Sequence, residues 1–456
     1  ENKAKGYYND DDSKPLRPNS DGRPRPYYDI PALNQISAYF EDNIDWKISK
    51  KLAFKVQAGL RYNLIQPGIE EQVSSLSPRI NSSIHISDWL EIRAGWGLNS
   101  KTPGLSHLYP EPKYTDRIAA RYLPADVNEQ LVMYHTNVNY VERNNALKNA
   151  TNSRTELGVD IKLVNGMRFS VVGYNDYMKN GFGNLTEYKI YYSRYYDANK
   201  GLIIKPGMKP IVDWNNPARV DTVFTTTGRI GNTEASIDRG IEFDFDLGEV
   251  KVIRTSLYLS GAYIQSKYWD NGRNFSNPVG IPAGSVYSQG GSNTPPFKLE
   301  YPSGRSKNID ERFSTLIRTV THIPYLKMVA TLTGQIVWYS STETTNQKED
   351  PIGWIDTDLS YHPITQQMLD DPGCKIKGIL LSDQRKDPKD DGATRQPLIW
   401  IINARLSKDV SKSLGFSFFV NNLFYYTPYQ STNKSGTLTE RNTDTFSFGM
   451  ELLIKI

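Results

Sequence analysis

The stretch Leu52–Leu64 reads LAFKVQAGLRYNL, and its large apolar residues recur at every second position. An apolar residue at every second position is typical of a β-strand with one apolar face. This run is longer than the roughly five or six residues of an average strand. Its length instead suits the about 9–11 residues that a tilted strand needs to cross a bilayer. The stretch therefore predicts a membrane-spanning β-strand.

The same period recurs along the chain, and it is clearest at the end, in Phe446–Ile456. We predict an all-β fold, a transmembrane antiparallel β-barrel with about 13 strands in this chain, and no helix longer than a turn or two. The predicted strands are 34–47, 52–65, 75–86, 89–99, 153–164, 167–178, 238–247, 250–267, 311–322, 326–341, 397–407, 414–424 and 443–456.

Every second connection between these strands is tight, and most of the others are long. The tight ones are Ile48–Lys51, Ser87–Asp88, Asn165–Gly166, Gly248–Glu249, Ile323–Tyr325 and Ser407–Ser413; the long ones are 100–152, 179–237, 268–310 and 342–396, and the two of middle length are 66–74 and 425–442. Short periplasmic turns alternating with longer extracellular loops are typical of outer-membrane barrels.

Aromatic residues lie near both ends of the predicted strands, as in the two aromatic girdles of a barrel. Trp46 and Trp89 are beside tight turns, and the residues towards the long loops are Tyr263, Trp338, Tyr339 and Trp400. The alternative is a large soluble β-protein such as a sandwich array. Its strands should be shorter, and its connections should lack the short and long alternation.

Composition excludes other classes of protein. The 456 residues are 38% hydrophobic with a mean hydropathy of -0.55, and no run approaches the roughly 18 apolar residues of a membrane-spanning helix. The balance of 54 Lys and Arg against 50 Asp and Glu is too even to indicate a nucleic-acid partner. The single cysteine, Cys374, cannot form an intrachain disulfide. The chain opens without an apolar signal segment, so we expect a mature product or an internal fragment.

Several short motifs, in this order, resemble the C-terminal barrel portion of TonB-dependent outer-membrane receptors, over about residues 34–456. They are LSPRI at 76–80, LEIRAGWG at 90–97, KTPGL at 101–105, NALK at 145–148 with ELGVD at 156–160, SIDRGIEF at 236–243 and VNNLF at 420–424. VNNLF and the ending FGMELLIKI look most like receptors of Bacteroidota. Ile456 stands where the family usually has an aromatic residue.

The resemblance implies a 22-stranded barrel with an N-terminal plug, of which this chain would supply the last thirteen strands. Residues 1–33 would then be an extracellular loop segment, and residues 34–456 the C-terminal part of the barrel with long extracellular loops and no plug. The implied partners are outer-membrane lipids, the plug and remaining strands, TonB acting through that plug, and a surface lipoprotein. Alternatively, thirteen strands close by themselves with a parallel seam, since open sheet edges are not tolerated in lipid.

The function that the resemblance implies is TonB-dependent transport of a nutrient, whether glycan, peptide, haem or siderophore, across the outer membrane into the periplasm. The alternative is a non-energised porin or a surface adhesin. We predict no enzyme, cofactor or metal site, because the five histidines form no spaced pair and no nucleophile elbow, P-loop or HExxH run occurs. The acidic groups Asp10–Asp12, Asp370–Asp371 and the set Asp387, Asp390 and Asp391 are interpreted as solvated loop tips.

The best candidate for ligand binding is the aromatic run 188–196 in the long connection 179–237. Aromatic rings with a polar edge suit sugars, ring-bearing siderophores and peptides, and they lose little entropy on ordering. The predicted ligand-binding residues are Tyr188, Tyr191, Tyr192, Arg194, Tyr195, Tyr196 and Trp214. The alternative is a β-hairpin whose tyrosines pack on each other. Trp269 and Tyr287 are weaker candidates.

Overall fold

A computed structural model describes residues 30–49, 51–66, 73–281, 295–304, 306–346, 349–386, 393–431, 438–439 and 446–454. Thirteen strands follow one another in a single antiparallel sheet, and strands are numbered along the whole chain. The strands of this wall are β1 (Asn34–Lys47), β2 (Ala53–Gln66), β3 (Val73–Ser87), β4 (Leu90–Lys101), β7 (Ala150–Lys162), β8 (Arg168–Asn184), β13 (Ile230–Val250), β14 (Thr255–Asp270), β17 (Ser306–Ile323), β18 (Met328–Asn346), β24 (Ile399–Asp409), β25 (Leu414–Tyr426) and β28 (Ser447–Ile454).

The connections of long and middle length contain short strands of their own, which periodicity did not predict except as an alternative for the run 188–196. They are β5 (Lys113–Tyr122), β6 (Leu131–Asn139), β9 (Tyr188–Tyr195), β10 (Leu202–Ile203), β11 (Ile211–Val212), β12 (Arg219–Thr226), β15 (Asn274–Ser276), β16 (Lys298–Tyr301), β19 (Gly353–Ile355), β20 (Tyr361–Pro363), β21 (Lys375–Ile376), β22 (Ile379–Leu380), β23 (Thr394–Gln396), β26 (Gln430–Ser431) and β27 (Leu438–Thr439). β23 pairs with β18 and extends the wall locally.

Helix is confined to a few turns in the described residues. The α-helices are α1 (Leu105–Leu108) and α2 (Gln366–Asp370), and the 3-10 turns are Val127–Glu129, Val164–Gly166, Pro324–Leu326 and Ser382–Gln384. No helix in the described part of the chain is long and apolar enough to cross a membrane.

The two faces of the wall differ in chemistry, as the alternation predicts. On the face that we call the apolar face, large side chains stand exposed; Phe40 is 72% exposed and Phe448 68%. So large an exposed apolar surface is unusual for a protein in water and indicates a non-aqueous environment. Asp42 also lies on this face, opposite Ala58. The other face, the polar face, carries ion pairs between strands, such as Arg93 with Asp160 at 2.5 Å.

The ends of the strands also differ from each other. Tight turns join β1 to β2, β3 to β4, β7 to β8, β13 to β14, β17 to β18 and β24 to β25, and we call this the short-turn end; the opposite end is the long-loop end. Trp46 and Trp89 lie at the short-turn end, and the aromatic residues at the long-loop end are Tyr263, Trp338, Tyr339 and Trp400. The predicted positions of these aromatic residues are confirmed.

One predicted turn is wrong. Gly248 and Glu249 belong to β13, which continues to Val250, and the turn to β14 comes after Val250. Gly248 has φ of +71°, its amide hydrogen-bonds to Asp246 Oδ1 at 2.9 Å, and the register slips between Asp246 and Glu249. Glycine adopts this backbone conformation at no steric cost, so it forms a bulge here instead of ending the strand.

The two end strands of the sheet, β1 and β28, run in the same direction, because strand direction alternates along the sheet and thirteen is an odd number. Neither has a second partner strand in the described residues. Direct closure between them would therefore need parallel pairing, whereas an odd number of further strands would keep every pair antiparallel. The predicted loop segment 1–33 lies almost wholly outside the described residues, as does Ile456.

Candidate functional site

The predicted aromatic run forms strand β9, which pairs with β12 in a hairpin above the long-loop end of the wall. Alternation along β9 separates the run into two sets. Tyr191 and Tyr195 lie on the face that meets the hairpin of β5 and β6, and Tyr188, Tyr192 and Arg194 lie on the opposite face. The run therefore does not present one continuous aromatic surface.

The face of β9 that meets β5 and β6 covers a cluster of charged groups. Asp221 on β12, with only 7% of its side chain exposed, has Arg219 Nε at 2.7 Å from Oδ1 and Arg117 Nη2 at 3.5 Å from Oδ2. The ring of Tyr195 lies under the Arg219 guanidinium, 4.9 Å away. Because two guanidiniums share one nearly buried carboxylate, this cluster ties the two hairpins together.

Tyr191 is also part of this interface. Burial raises the pKa of its hydroxyl, and the Arg117 guanidinium opposes that shift. Its ring stands edge-on to His135 at 6.3 Å. Tyr191 and Tyr195 thus serve packing between hairpins, which leaves little of them for a ligand to contact.

The opposite face of the hairpin is packed at one end and open at the other. Tyr188 stands edge-on to Phe224 and Phe275, with ring centroids 5.9 and 5.6 Å away. The Lys298 ammonium lies 5.3 Å from the Tyr188 ring and hydrogen-bonds to Asn277. Burial among these rings lowers the pKa of Lys298 and raises that of Tyr188.

Beyond this packed end, Tyr192 is 62% exposed and Arg194 is exposed, each with its side chain on the same face of β9. Their cross-strand partners on β12 are Thr222 and Val220. An exposed tyrosine two residues from an arginine offers a ring, a hydroxyl and a guanidinium to one ligand. We call Tyr192, Arg194, Val220 and Thr222 the open hairpin face.

The remaining two predicted residues differ in accessibility. Tyr196 is 1% exposed, donates its hydroxyl to the Trp214 carbonyl at 3.2 Å, and packs with Ala120 and Leu202 in a small core. Trp214 is 59% exposed, and one edge of its ring stands against Tyr196 at 5.7 Å. Tyr196 is therefore a core residue, and Trp214 remains accessible.

A second loop unit was not predicted from the sequence. Strands β15, β16, β19 and β20, from two different long connections, form one small sheet over a core that includes Phe297, Leu299 and Leu381. Arg273 forms a two-pronged contact with Glu300, at 2.6 and 2.9 Å, and this hydrogen bonding raises the pKa of the guanidinium. The sequence signal was a short alternation, in which Phe297, Leu299 and Tyr301 stand at every second position. It indicates a strand with one buried face but does not specify the partner strand.

Two other residues noted in the sequence, His362 and Cys374, pack inside the second loop unit. His362 stacks on Trp354 at 4.1 Å, and Cys374 packs against the core of the second loop unit. In the described part of the chain, no three residues among His, Cys, Asp and Glu are grouped as a metal would require. Asp10–Asp12, Tyr287 and Asp387–Asp391 lie outside the described residues.

The polar face of the wall is lined by charges of both signs. Arg154 lies 3.2 Å from Asp176 and its guanidinium covers the Tyr174 ring at 4.7 Å. Further along the wall, Arg405 pairs with Glu451. A wall with an apolar face, a charged face and folded loops at one end is typical of an outer-membrane β-barrel protein.

Comparison with known protein families agrees with this description of the wall. The family described as TonB dependent receptor-like, beta-barrel, matches residues 2–423. The chain belongs to this family of TonB-dependent receptors of the outer membrane, whose members are receptors and transporters.

Solved structures of receptors and transporters resemble the chain at low identity. The siderophore receptor PirA from Acinetobacter baumannii matches with 13% identity and a TM-score of 0.43, over 86% of this chain and 41% of PirA. The ferric-catecholate import receptor Fiu from E. coli K12 matches with 11% identity and a TM-score of 0.25, over 92% of this chain and 73% of Fiu. The outer membrane transporter YddB from Escherichia coli matches with 9% identity and a TM-score of 0.20, over 92% and 74%. Since the match covers 41% of PirA, this chain spans less than half the length of that receptor.

No curated protein matches the chain at a significant level.

Proposed function

We propose that this chain supplies part of the barrel wall and the extracellular loops of a TonB-dependent importer that takes a nutrient across the outer membrane. The observation that carries the proposal is the wall itself, apolar on one face and charged on the other, in a chain that belongs to the receptor family. The apolar face meets lipid and the charged face lines the lumen. The long-loop end faces the cell exterior, since the shorter turns of such barrels are periplasmic.

In this proposal, the loops capture the nutrient. The open hairpin face offers Tyr192 and Arg194, and Trp214 adds a second exposed ring. Rings and a guanidinium together suit a nutrient with aromatic or sugar rings and an anionic group, such as a siderophore, haem, a glycan or a peptide. In this role the chain binds the nutrient, and the proposal includes neither catalysis nor a bound cofactor.

The proposed partners follow from the same role. A plug domain and the strands that complete the barrel would pair with the edges of β1 and β28, since lipid does not tolerate open sheet edges. TonB would act through that plug, and a surface lipoprotein would cover the loops. The motifs VNNLF and FGMELLIKI support a receptor of the Bacteroidota type.

The test is uptake by cells that express the full-length receptor, with and without a functional TonB. Labelled probes would be a ferric catecholate, haemin, maltoheptaose and a tetrapeptide. We expect one probe to accumulate only when TonB and the proton gradient are intact. Accumulation that is unaffected by loss of TonB would instead indicate a non-energised porin, and surface binding without accumulation would indicate an adhesin.

A further inference from the structure

A row of five polar residues crosses the apolar face of the wall near its long-loop end. Successive cross-strand pairs join them: Arg239 with Gln265, Gln265 with Glu311, Glu311 with Ser341, and Ser341 with Arg395. We call these five residues the rim cluster. A second row on the same face, two residues further from the loops on each strand, consists of Ile241, Tyr263, Phe313 and Tyr339.

Glu311 is the centre of the rim cluster. Its carboxylate accepts hydrogen bonds from the hydroxyls of Tyr263 at 3.1 Å and Tyr339 at 2.8 Å, and from the Gln265 amide at 2.5 Å. The two tyrosines thus aim their hydroxyls towards the loops and belong to the aromatic row on the bilayer side. An aromatic ring with this orientation marks the level of the lipid headgroups. The rim cluster therefore lies at headgroup level on the lipid-facing side.

An arginine is fixed on each side of Glu311. Arg239 donates its Nε to Gln265 Oε1 at 2.7 Å, and the Arg395 guanidinium lies 5.4 Å from the centre of the Tyr339 ring. Both arginines are exposed. Within the residues that the structure describes, neither guanidinium forms an ion pair with a carboxylate. Because three neutral donors already satisfy Glu311, the positive charges of the two arginines remain available.

Lys267 adds a further cation on the same face, two residues closer to the loops than Gln265 on strand β14. The next residues towards the bilayer, such as Phe243, Leu259 and Ile317, are apolar. A ligand that fits this surface must therefore combine an anionic group with hydrocarbon chains. That combination is the chemistry of a phosphorylated lipid.

We propose that the rim cluster is a binding site for a phosphorylated lipid headgroup of the outer leaflet, held by Arg239 and Arg395. This inference rests on the orientation given in the proposed function. Arginine forms two parallel hydrogen bonds to a phosphate. Among the residues that the structure describes, each guanidinium is held by one neighbour, Gln265 for Arg239 and the Tyr339 ring for Arg395. Since Glu311 lies between the two arginines, the site suits a headgroup with two separated phosphates, one for each arginine, better than one with a single central phosphate.

The test measures lipid binding to the purified full-length receptor, in nanodiscs of zwitterionic phosphatidylcholine. The probes are a glycolipid with two phosphates, the same glycolipid with one phosphate, and phosphatidylglycerol, each counted by native mass spectrometry during titration. We expect the bis-phosphorylated glycolipid to bind most tightly. The double variant Arg239→Gln with Arg395→Gln should bind it about tenfold more weakly, and Arg239→Lys with Arg395→Lys should recover part of that loss.

The matched control removes two exposed arginines elsewhere, Arg121 in the β5 hairpin and Arg312 on the polar face of β17, each replaced by Gln. We expect this control to bind the glycolipid like the unaltered receptor. An equal loss in the control, or no loss in the rim variant, would overturn the site. Equal affinity for the one-phosphate and two-phosphate glycolipids, or for phosphatidylglycerol, would overturn the two-phosphate assignment.

Wild-type binding should also weaken as salt increases, because exposed charges are screened. Salt-independent binding would contradict the proposal even if the variants failed to fold. Transport is not measured in this experiment, so its failure and a failure of the proposed import function are separate results.

Discussion

Arg117 Nη2 on β5 lies 3.5 Å from Asp221 Oδ2 on β12, and this contact joins two hairpins that come from different long connections. Arg219 approaches the same carboxylate from within the second hairpin, at 2.7 Å. The loops above the wall are therefore held to one another by charge as well as by packing. Loops fixed in this way lose less conformational entropy when they bind a ligand.

Asp221→Asn should loosen the two hairpins. The change leaves two guanidiniums facing a neutral amide, and breaking a fully buried ion pair costs about 3–5 kcal/mol. Both arginines keep some contact with water, so we expect a smaller loss, about 2 kcal/mol. The measurement is hydrogen exchange in β9 and β12, compared with Glu111→Gln, which removes an exposed carboxylate. Exchange in β9 that matches the control would show that Asp221 does not hold the hairpins.

The open hairpin face should matter for uptake more than the packed tyrosines do. Tyr192→Ala with Arg194→Gln removes exposed groups, so we expect weaker uptake of the transported probe with normal barrel yield. Tyr191→Ala should instead disturb the contact with Arg117 and His135 and increase proteolysis of the loops. Tyr140→Ala, which removes another exposed loop tyrosine, serves as the control. Unchanged uptake in the double variant would remove this face as the binding site.

The stability of the loops should depend on pH through Lys298. Burial lowers its pKa in the folded chain from an unfolded value of 10.5, so the folded state releases this proton first as pH rises. The unfolded state then binds more protons, and stability rises with pH between the lowered pKa and 10.5. We expect the melting temperature of the wild type to rise, relative to Lys298→Met, from pH 7 to pH 10.

Lys209→Met is the matched control, since Lys209 is an exposed lysine in the same group of loops. Its melting temperature should follow that of the wild type across the same range. If the difference between the wild type and Lys298→Met were constant with pH, the Lys298 ammonium would not be destabilised by its aromatic surroundings.

The lipid-facing assignment can be tested by introducing charge. Leu60→Arg and Ile336→Arg each place a guanidinium on the apolar face, where an arginine near the bilayer midplane costs about 2–4 kcal/mol. Gln57→Arg and Gln335→Arg place the same charge on the polar face of the same strands. We expect only the first pair to reduce folded yield in urea titrations of the full-length receptor. Equal loss in both pairs would contradict the facing of these strands.

The wall was predictable because its physics is local to each strand. A long strand with one face in lipid and one in water must alternate, so β2 and β18 are visible in the sequence as runs of period two. The period does not show where the backbone departs from this rule. Gly248 was predicted to turn but forms a bulge, and Trp338 is an extra residue that shifts the register between Phe313 and Ser314. Trp338 still reaches Thr315 Oγ1, at 2.8 Å, from its bulge.

The loops were much less predictable, because their contacts join distant parts of the chain. β16 pairs with β19 although they belong to different long connections, and no local pattern in either strand specifies that pairing. The aromatic run was recognised as unusual, yet composition could not separate the buried Tyr196 from the exposed Tyr192. Their difference arises from the partners of β9, namely β12 on its edge and the β5 hairpin on one face.

The measurement that tests the central claim most directly is the accessibility of successive positions along β2 in the membrane. Cys374 is the only cysteine, so a Cys374→Ser background permits single nitroxide labels from Phe54 to Leu64. Electron paramagnetic resonance would compare relaxation by oxygen, which concentrates in lipid, with relaxation by a water-soluble nickel complex. We predict that even positions respond to oxygen and odd positions to nickel, with a period of two along the strand. Equal access of the nickel complex to both sets of positions would contradict a wall with one face in lipid.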